Sequence, residues 1–361
     1  MSKFWSKRTH ELDPYSPGEQ PQDQQYIKLN TNENPYPPSP NAIKAMREAA
    51  SEAMRLYPDP NARTLKQAIA DYYSLELDQV FVGNSSDEVL AHTFVALLKQ
   101  DKPLLFPDIS YSFYPAYCSL FGMNAKQIPL TDDFTIKVKD YQPDSSQEIG
   151  SIIFPNPNAP SGIALGLNEI EEILKANPDS PVVIDEAYID FGAETAVPLI
   201  NDYPNLLITQ TFSKSRSLAG LRVGFALGQA DLIEGLERVK NSFNSYPLDR
   251  AAIAGATESM KDIAHFEENC KKIIATRERV SKALEAMGFW VLPSKTNFIF
   301  ARPNQANAEK LYLGLKDNGV LVRYFNAPRI AGFLRISIGT DEEMNVFLEA
   351  LSMLKNGGGA K

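Results

Sequence analysis

The chain is poor in the residues that most often announce reactive chemistry. Its 361 residues hold two cysteines and three histidines. Cys118 and Cys270 lie far apart and match no C-x-x-C spacing, which excludes a redox or zinc motif of that kind. They offer no disulfide framework either, and a reducing, cytoplasmic location is the expectation. His10, His92 and His265 are scattered, so neither a histidine-based triad nor a metal site is expected. Positive charge is in deficit. Lys and Arg number 36 against 45 Asp and Glu, a net charge of −9 that argues against a general nucleic-acid surface. A small anion in a local basic pocket stays compatible with that balance. No apolar run is long enough to span a bilayer, and the opening M-S-K-F-W-S-K-R lacks the apolar centre of a secretion signal. What is there is a chain 43% hydrophobic and 22% charged, long enough for a sizeable core in one large or two medium domains.

The most informative stretch is Thr211 to Gly224, T-F-S-K-S-R-S-L-A-G-L-R-V-G. It follows Leu206-Leu207-Ile208-Thr209, an apolar run that reads as a buried strand. Lys214 comes directly after that strand, where partial desolvation would make its amine nucleophilic, as a Schiff base to an aldehyde requires. Ser213 beside it and Arg222 eight residues on suit a phosphate. Gly220 and Gly224 allow close approach. By itself the pattern fits an ordinary solvated basic loop equally well.

Three other predicted strands end in the same manner. Val80-Phe81-Val82 runs into Gly83-Asn84-Ser85-Ser86-Asp87-Glu88, whose small residues open a helix and present free backbone N–H groups. Ser151-Ile152-Ile153-Phe154 runs into P-N-P-N-A-P-S-G, a turn dense in Pro, Asn and Gly. Val182-Val183-Ile184 ends in Asp185-Glu186-Ala187-Tyr188, which puts a carboxylate at the carboxyl edge of a sheet. Tyr111, after the strand Leu104-Leu105-Phe106, has a ring suited to stacking on a flat ligand. Strands alternating with helices predict an α/β fold with a mostly parallel, doubly wound sheet and a site along one edge.

The expected layout is an extended arm over 1–40, a large domain over 41–247 and a smaller α+β domain over 248–361. Predicted helices include Asn41–Leu56, with Asn41 as cap, Val89–Leu98, and one long helical section from Ala251 to Met287. In the second domain, strands are predicted around Phe289, Asn297, Leu321 and Leu334, with Arg335 facing opposite to Leu334 and Ile336.

Taken together, G-N-S-S-D-E, P-N-P-N-A-P-S-G, D-E-A-Y-I-D-F and S-K-S-R-S-L-A-G-L-R-V-G, in that order, resemble the fold type I pyridoxal-phosphate-dependent aminotransferases. Within them the likeness is greatest to the histidinol-phosphate aminotransferase family. It extends from L-N-T-N-E-N-P to L-R-I-S-I-G-T, nearly the whole chain. The resemblance implies pyridoxal 5'-phosphate bound to Lys214, with Asp185 facing the pyridine nitrogen and Tyr188 and an asparagine on the ring oxygen. It implies Tyr111 stacked on the ring. Ser86, Asp87, Ser213 and Arg222 would hold the cofactor phosphate, joined by Tyr57 from a second subunit of a homodimer. Arg335 would pair with a substrate carboxylate. Tyr15 and Arg323 would hold the substrate's own phosphate, with Asn32, Glu33 and Asn34 close by. The family often has asparagine immediately before Pro-Ser/Thr-Gly. That place is Ala159 here, and Asn158, one residue earlier, is the expected replacement. The implied reaction exchanges L-histidinol phosphate and 2-oxoglutarate for imidazole-acetol phosphate and L-glutamate. The alternatives are an aromatic-amino-acid aminotransferase and a threonine-phosphate decarboxylase.

Overall fold

The computed structural model describes residues 2–15, 18–143 and 148–355. Its strands, in chain order, are β1 (Ile27–Leu29), β2 (Val80–Asn84), β3 (Leu104–Pro107), β4 (Ala125–Ile128), β5 (Ser151–Pro155) and β6 (Val182–Asp185). They continue as β7 (Leu206–Thr211), β8 (Val223–Gly228), β9 (Phe289–Val291), β10 (Phe298–Pro303), β11 (Val320–Tyr324) and β12 (Leu334–Ser337). Strands β2 to β8 form a sheet in the order β2-β8-β7-β6-β5-β3-β4. Only β8 runs against the rest, antiparallel to both β2 and β7. The interior strands β5, β6 and β7 are buried along their whole length, as a parallel sheet covered on both faces requires.

Helices cover both faces. Arg63–Tyr73, Leu167–Ala176 and Arg250–Lys261 supply Leu65, Ile69, Ile170, Ile173, Ile253 and Met260 to one apolar layer. Ser85–Thr93, Phe113–Phe121 and Ala230–Phe243 supply Val89, Leu90, Tyr114, Tyr117, Ile233 and Leu236 to the other. Each such fully buried side chain contributes ~1.5–3 kcal/mol through removal from water. A second sheet, β1-β11-β12-β10-β9, packs with helices Ile263–Ala286, Ala308–Asp317 and Asp341–Lys355 around a separate core. The chain is therefore an α/β protein with a mostly parallel central sheet and a smaller α+β unit. Arg277 links the two. Its Nη1 donates to Phe191 O, just past the D-E-A-Y motif, and to Thr296 O in the smaller unit, both at 2.8 Å.

Several predicted elements differ in detail. The helix expected over 41–56 is Pro40–Ala49, followed by a short 3-10 turn, Glu52–Arg55. Ser39 is its cap, with Oγ accepting from Asn41 N and Ala42 N. Ser51 interrupts because its own hydroxyl accepts from Ala53 N in extended backbone, the local competition that makes serine a helix breaker. The long section after 251 is two helices that meet at Asp262, whose carboxylate binds Ser39 Oγ at 2.5 Å. The helix expected from Val89 starts earlier, at Ser85, and ends in a π turn at Phe94–Leu98. The N-terminal arm is not wholly irregular: β1 pairs in parallel with β11, and Lys7–Glu11 is helical.

Candidate active site

The carboxyl ends of β2, β3, β5, β6 and β7 lie on one edge of the large sheet. The chain order reverses between β3 and β5, and such a switch point opens a crevice where α/β sheets bind ligands. Lys214 follows β7 at this edge and is half-buried. Its Nζ donates to Thr31 O at 3.2 Å and stands 5.8 Å from the centre of the Tyr188 ring. The N-terminal arm thus closes one side of the lysine. Asn34 Nδ2 donates to the carbonyls of Lys214 and Ser215, at 3.0 and 3.2 Å. Asn32 Nδ2 donates to Tyr188 Oη at 3.0 Å. Glu33 points to the arm itself. Burial pushes its carboxyl up, but bonds from Lys28 Nζ and Thr31 Oγ1 outweigh this and hold it below the usual value.

Asp185 ends β6 and is buried. Burial pushes its carboxyl up to about 6, although Tyr114 Oη donates to it at 3.0 Å and Ala187 N at 3.3 Å. A desolvated carboxylate with only neutral donors attracts a proton-bearing cation from a ligand. Glu186 points to the opposite face. It accepts from Thr195 Oγ1, Ala196 N and Gln210 Nε2, and burial pushes it up to about 7.

A second cluster forms where β2 meets its helix. Arg222 Nη2 donates to Asp87 Oδ2 and Tyr111 Oη to Asp87 Oδ1, both at 2.9 Å, and Tyr117 Oη donates to Asp87 O. Ser85 N donates to Arg222 O at 2.9 Å, which ties this helix start to the residue before β8. Gly224 sits directly beneath: a Cβ there would lie 2.3 Å from Ser86 N. Main-chain N–H groups, the positive end of a helix and an arginine meet here, which is the physics of a phosphate seat. Ser213, buried between this cluster and Lys214 in the chain, donates its N–H to Thr211 Oγ1.

Asn158 is buried in the turn after β5. Its Nδ2 donates to Ile109 O and Ser161 Oγ, each at 3.0 Å, so it fastens that turn to the loop carrying Tyr111. Its Oδ1 is buried with no partner among the described residues. Across the crevice, Arg335 on β12 donates through Nη2 to Asn30 O, and its Nε is buried without a partner among the described residues. Burial pulls its guanidinium below the ordinary value. Arg323 on β11 stands opposite Arg335 in the strand register. Tyr15 packs on Phe113, with ring centres 4.6 Å apart. Tyr57 is placed differently from the other residues singled out by sequence. It is 79% exposed, stacks on Tyr246 at 4.7 Å, and has its carbonyl held by Arg250.

Comparison with known proteins decides the family. The family described as aminotransferase class I and II matches residues 24–351. The chain belongs to the class I and II aminotransferases. The histidinol-phosphate aminotransferase of Marinomonas sp. is 59% identical over 356 residues, covering 98% of this chain and all of that one. The enzyme of the same name from Pseudomonas syringae is also 59% identical, over 354 residues, with the same coverage. The solved structure of histidinol-phosphate aminotransferase from Sinorhizobium meliloti, in complex with pyridoxal-5'-phosphate, superposes with a TM-score of 0.88. It has 23% identity, and the match covers 98% of this chain and 99% of that one, which shows a shared fold.

The residues of this aminotransferase fit pyridoxal 5'-phosphate on their own chemistry. The buried Asp185 has no cation among the groups that shift it. The cradle over Gly224 has no room for a Cβ. Lys214 lies between them in the sheet edge. Sequence reasoning missed Thr31, Tyr114, Asn297 and Ser337 as neighbours of these groups. Only Ser337 carried a signal: in L-R-I-S it shares the Arg335 face by strand alternation.

Proposed function

We propose that this aminotransferase interconverts L-histidinol phosphate and 2-oxoglutarate with imidazole-acetol phosphate and L-glutamate, a step of histidine biosynthesis. The observation that carries the substrate choice is the pair Arg323 and Arg335, neighbours across β11 and β12. Both guanidinium groups lie against the Phe325 ring, 5.4 and 5.5 Å from its centre, and gather positive charge at one place. A phosphate ester, which carries more negative charge than a single carboxylate, suits that place better than an aromatic amino acid does. Full-length identity to the Marinomonas and Pseudomonas enzymes supports the same reading.

Pyridoxal phosphate, when bound, supplies an aldehyde and an electron-withdrawing ring. The chain supplies the rest. Lys214 Nζ would hold the aldehyde and is the base placed to move a proton at the substrate α-carbon. Asp185 would keep the ring nitrogen protonated, Tyr188 Oη would donate to the ring oxygen, and Tyr111 would pack on the ring face. Ser86 and Asp87 through the helix start, with Ser213 and Arg222, hold the phosphate. Asn158 acts by fixing the Tyr111 loop, since both its amide protons already have partners within the chain. Arg335 takes a carboxylate, Arg323 and Tyr15 take the substrate phosphate, and Asn32, Glu33 and Asn34 line the arm side. The exposed Tyr57, stacked on the exposed Tyr246, reaches the phosphate of a second copy in a homodimer. The two buried, unpaired cysteines accord with a cytoplasmic location.

The test is an absorbance spectrum of purified, cofactor-loaded protein before and after L-histidinol phosphate. Conversion from the lysine-bound to the amine form of the cofactor is expected, and Lys214→Ala should fold but give neither the lysine-bound band nor turnover. A response to phenylalanine or tyrosine alone would move the function to aromatic substrates. Carbon dioxide release from threonine phosphate would make it a decarboxylase.

A further inference from the structure

Asn32 joins three parts of the chain at one buried point. It lies in left-handed backbone, φ 56°, and is 1% exposed. Its main-chain N–H donates to Ser337 Oγ at 2.9 Å, and Ser337 Oγ lies 2.8 Å from Asn32 Oδ1. Its Nδ2 is 3.0 Å from Tyr188 Oη. Asn297 Nδ2 donates to its carbonyl at 2.9 Å. Ser337 and Asn297 are both buried, so water does not compete for these bonds.

The direction of every proton in this chain of bonds follows from its first member. A main-chain N–H can only donate, so Ser337 Oγ must accept there. The single hydroxyl proton of Ser337 then goes to Asn32 Oδ1. That fixes the amide with Nδ2 towards Tyr188, and Tyr188 Oη accepts from it. The phenol's own proton is left pointing away from Asn32. With the amide turned over, Ser337 would face two donors and Tyr188 would donate to Asn32 instead.

The geometry points to Ser337 as a positioning residue that, through Asn32, aims the Tyr188 proton at the ring oxygen of the cofactor. This matters more here than where an asparagine precedes the Pro-Ser/Thr-Gly turn. Ala159 occupies that place, and the protons of Asn158 are held by Ile109 and Ser161. Tyr188 is then the ring oxygen's donor. Ser337 sits two residues beyond Arg335, on the same face of β12. One short strand thus carries both a proposed carboxylate ligand and the group that orients Tyr188.

The inference rests on Tyr188 acting as that donor, and the experiment separates the two. A donor to the ring oxygen stabilises its negative charge and lowers the pH at which the lysine–cofactor nitrogen loses its proton. That pH is read by absorbance titration of the loaded enzyme without substrate. The charged groups that act on Tyr188, Lys214 and Arg335, are unchanged by the substitutions. Tyr188→Phe should raise the midpoint. Ser337→Ala should raise it by about one pH unit or less, in the same direction, and add nothing in the Tyr188→Phe background. Ser337→Thr, which keeps the hydroxyl, should restore the wild-type midpoint. Asn297→Ala, which removes a bond outside the proton chain, should leave it in place. If Tyr188→Phe does not move the midpoint, the reading of Tyr188 fails. If it does, and Ser337→Ala does not or shifts it equally without the phenol, the role assigned to Ser337 is overturned. Should Ser337→Ala not fold, Ser337→Cys decides: a thiol is a weak donor and a weak acceptor, so the midpoint should rise with no new charge, and a midpoint left at the wild-type value would overturn the assignment.

Discussion

A methyl group at Gly224 should damage cofactor binding more than its size suggests. Gly224 lies in β8, paired with Gly83 on one side and Thr211 on the other, directly under the start of the helix Ser85–Thr93. The Cβ of Gly224→Ala would fall 2.3 Å from Ser86 N, 2.5 Å from Ser85 C and 2.8 Å from Ser85 O. All three are main-chain atoms, so no side chain can turn aside. Ordinary contact begins near 3.4 Å, so the helix start must retreat by roughly 1.1 Å, the difference between 3.4 and 2.3. Overpacking of this kind costs about 1–3 kcal/mol of stability. A displacement of about 1 Å in preorganised donors is enough to cost on the order of 100-fold. The assay is titration of the cofactor-free variant with pyridoxal phosphate and, separately, with pyridoxal, which has no phosphate to lose. Affinity for the first should fall by roughly 10- to 100-fold, and affinity for the second should change little. Gly83→Ala is the comparator: its Cβ would meet Val89 Cγ2 at 3.1 Å and Glu88 Oε2 at 3.2 Å, side-chain atoms that can yield. Equal affinity for pyridoxal phosphate in Gly224→Ala and wild type, at an unchanged melting temperature, would refute the placement of the phosphate over this helix start.

Two further outcomes are expected. Glu186 is pushed up to about 7 from its ordinary 4.5, so the folded state binds its proton more tightly than the unfolded state. Its contribution to stability is therefore fully present below about 4.5 and is lost as pH rises to about 7, a change on the order of 3 kcal/mol. Denaturation of the cofactor-free protein should show wild type losing ground to Glu186→Gln between pH 4 and pH 8; a constant difference would contradict this. Arg323→Gln should raise KM for L-histidinol phosphate by about 10-fold or more while leaving the glutamate half-reaction nearly intact, as stopped-flow rates for each substrate would report. Equal losses for both would mean that Arg323 does not distinguish the phosphate.

The sheet edge was legible because each strand announces itself twice, by an apolar run and by the polar residue that ends it. Lys214, Asp185, Asp87 and Tyr111 follow directly from that rule. What escaped was of two kinds. Strands β4 and β8 lack the usual pattern: A-K-Q-I is an edge strand with an exposed middle, and V-G-F-A-L-G is interrupted by Gly224, which the helix start requires, and by Gly228. The other kind is made by distance in sequence. Thr31 touches Lys214 across 183 positions, and Asn32 touches Ser337 across 305. No local spacing carries such a pair. Asp87 illustrates a subtler limit. Its place at the helix start was readable, but its tie to Arg222 depends on β8 lying antiparallel beside β2, and its tie to Tyr111 on the loop after β3.

The pairing of β1 with β11 sets a timetable for the newly made chain. Ile27 bonds in register with Val320, so the first strand to leave the ribosome completes the last sheet to be finished. At about 5–20 residues per second, the 292 residues between them take roughly 15–60 s to synthesise. For that interval the segment carrying Thr31, Asn32 and Asn34 has no sheet to join. The large sheet, complete once Gly228 has emerged, can assemble meanwhile with its lysine edge uncovered. Closure over Lys214 then waits until Val320 has been made, and a chain truncated before Val320 would carry the lysine but not the strand that anchors its cover.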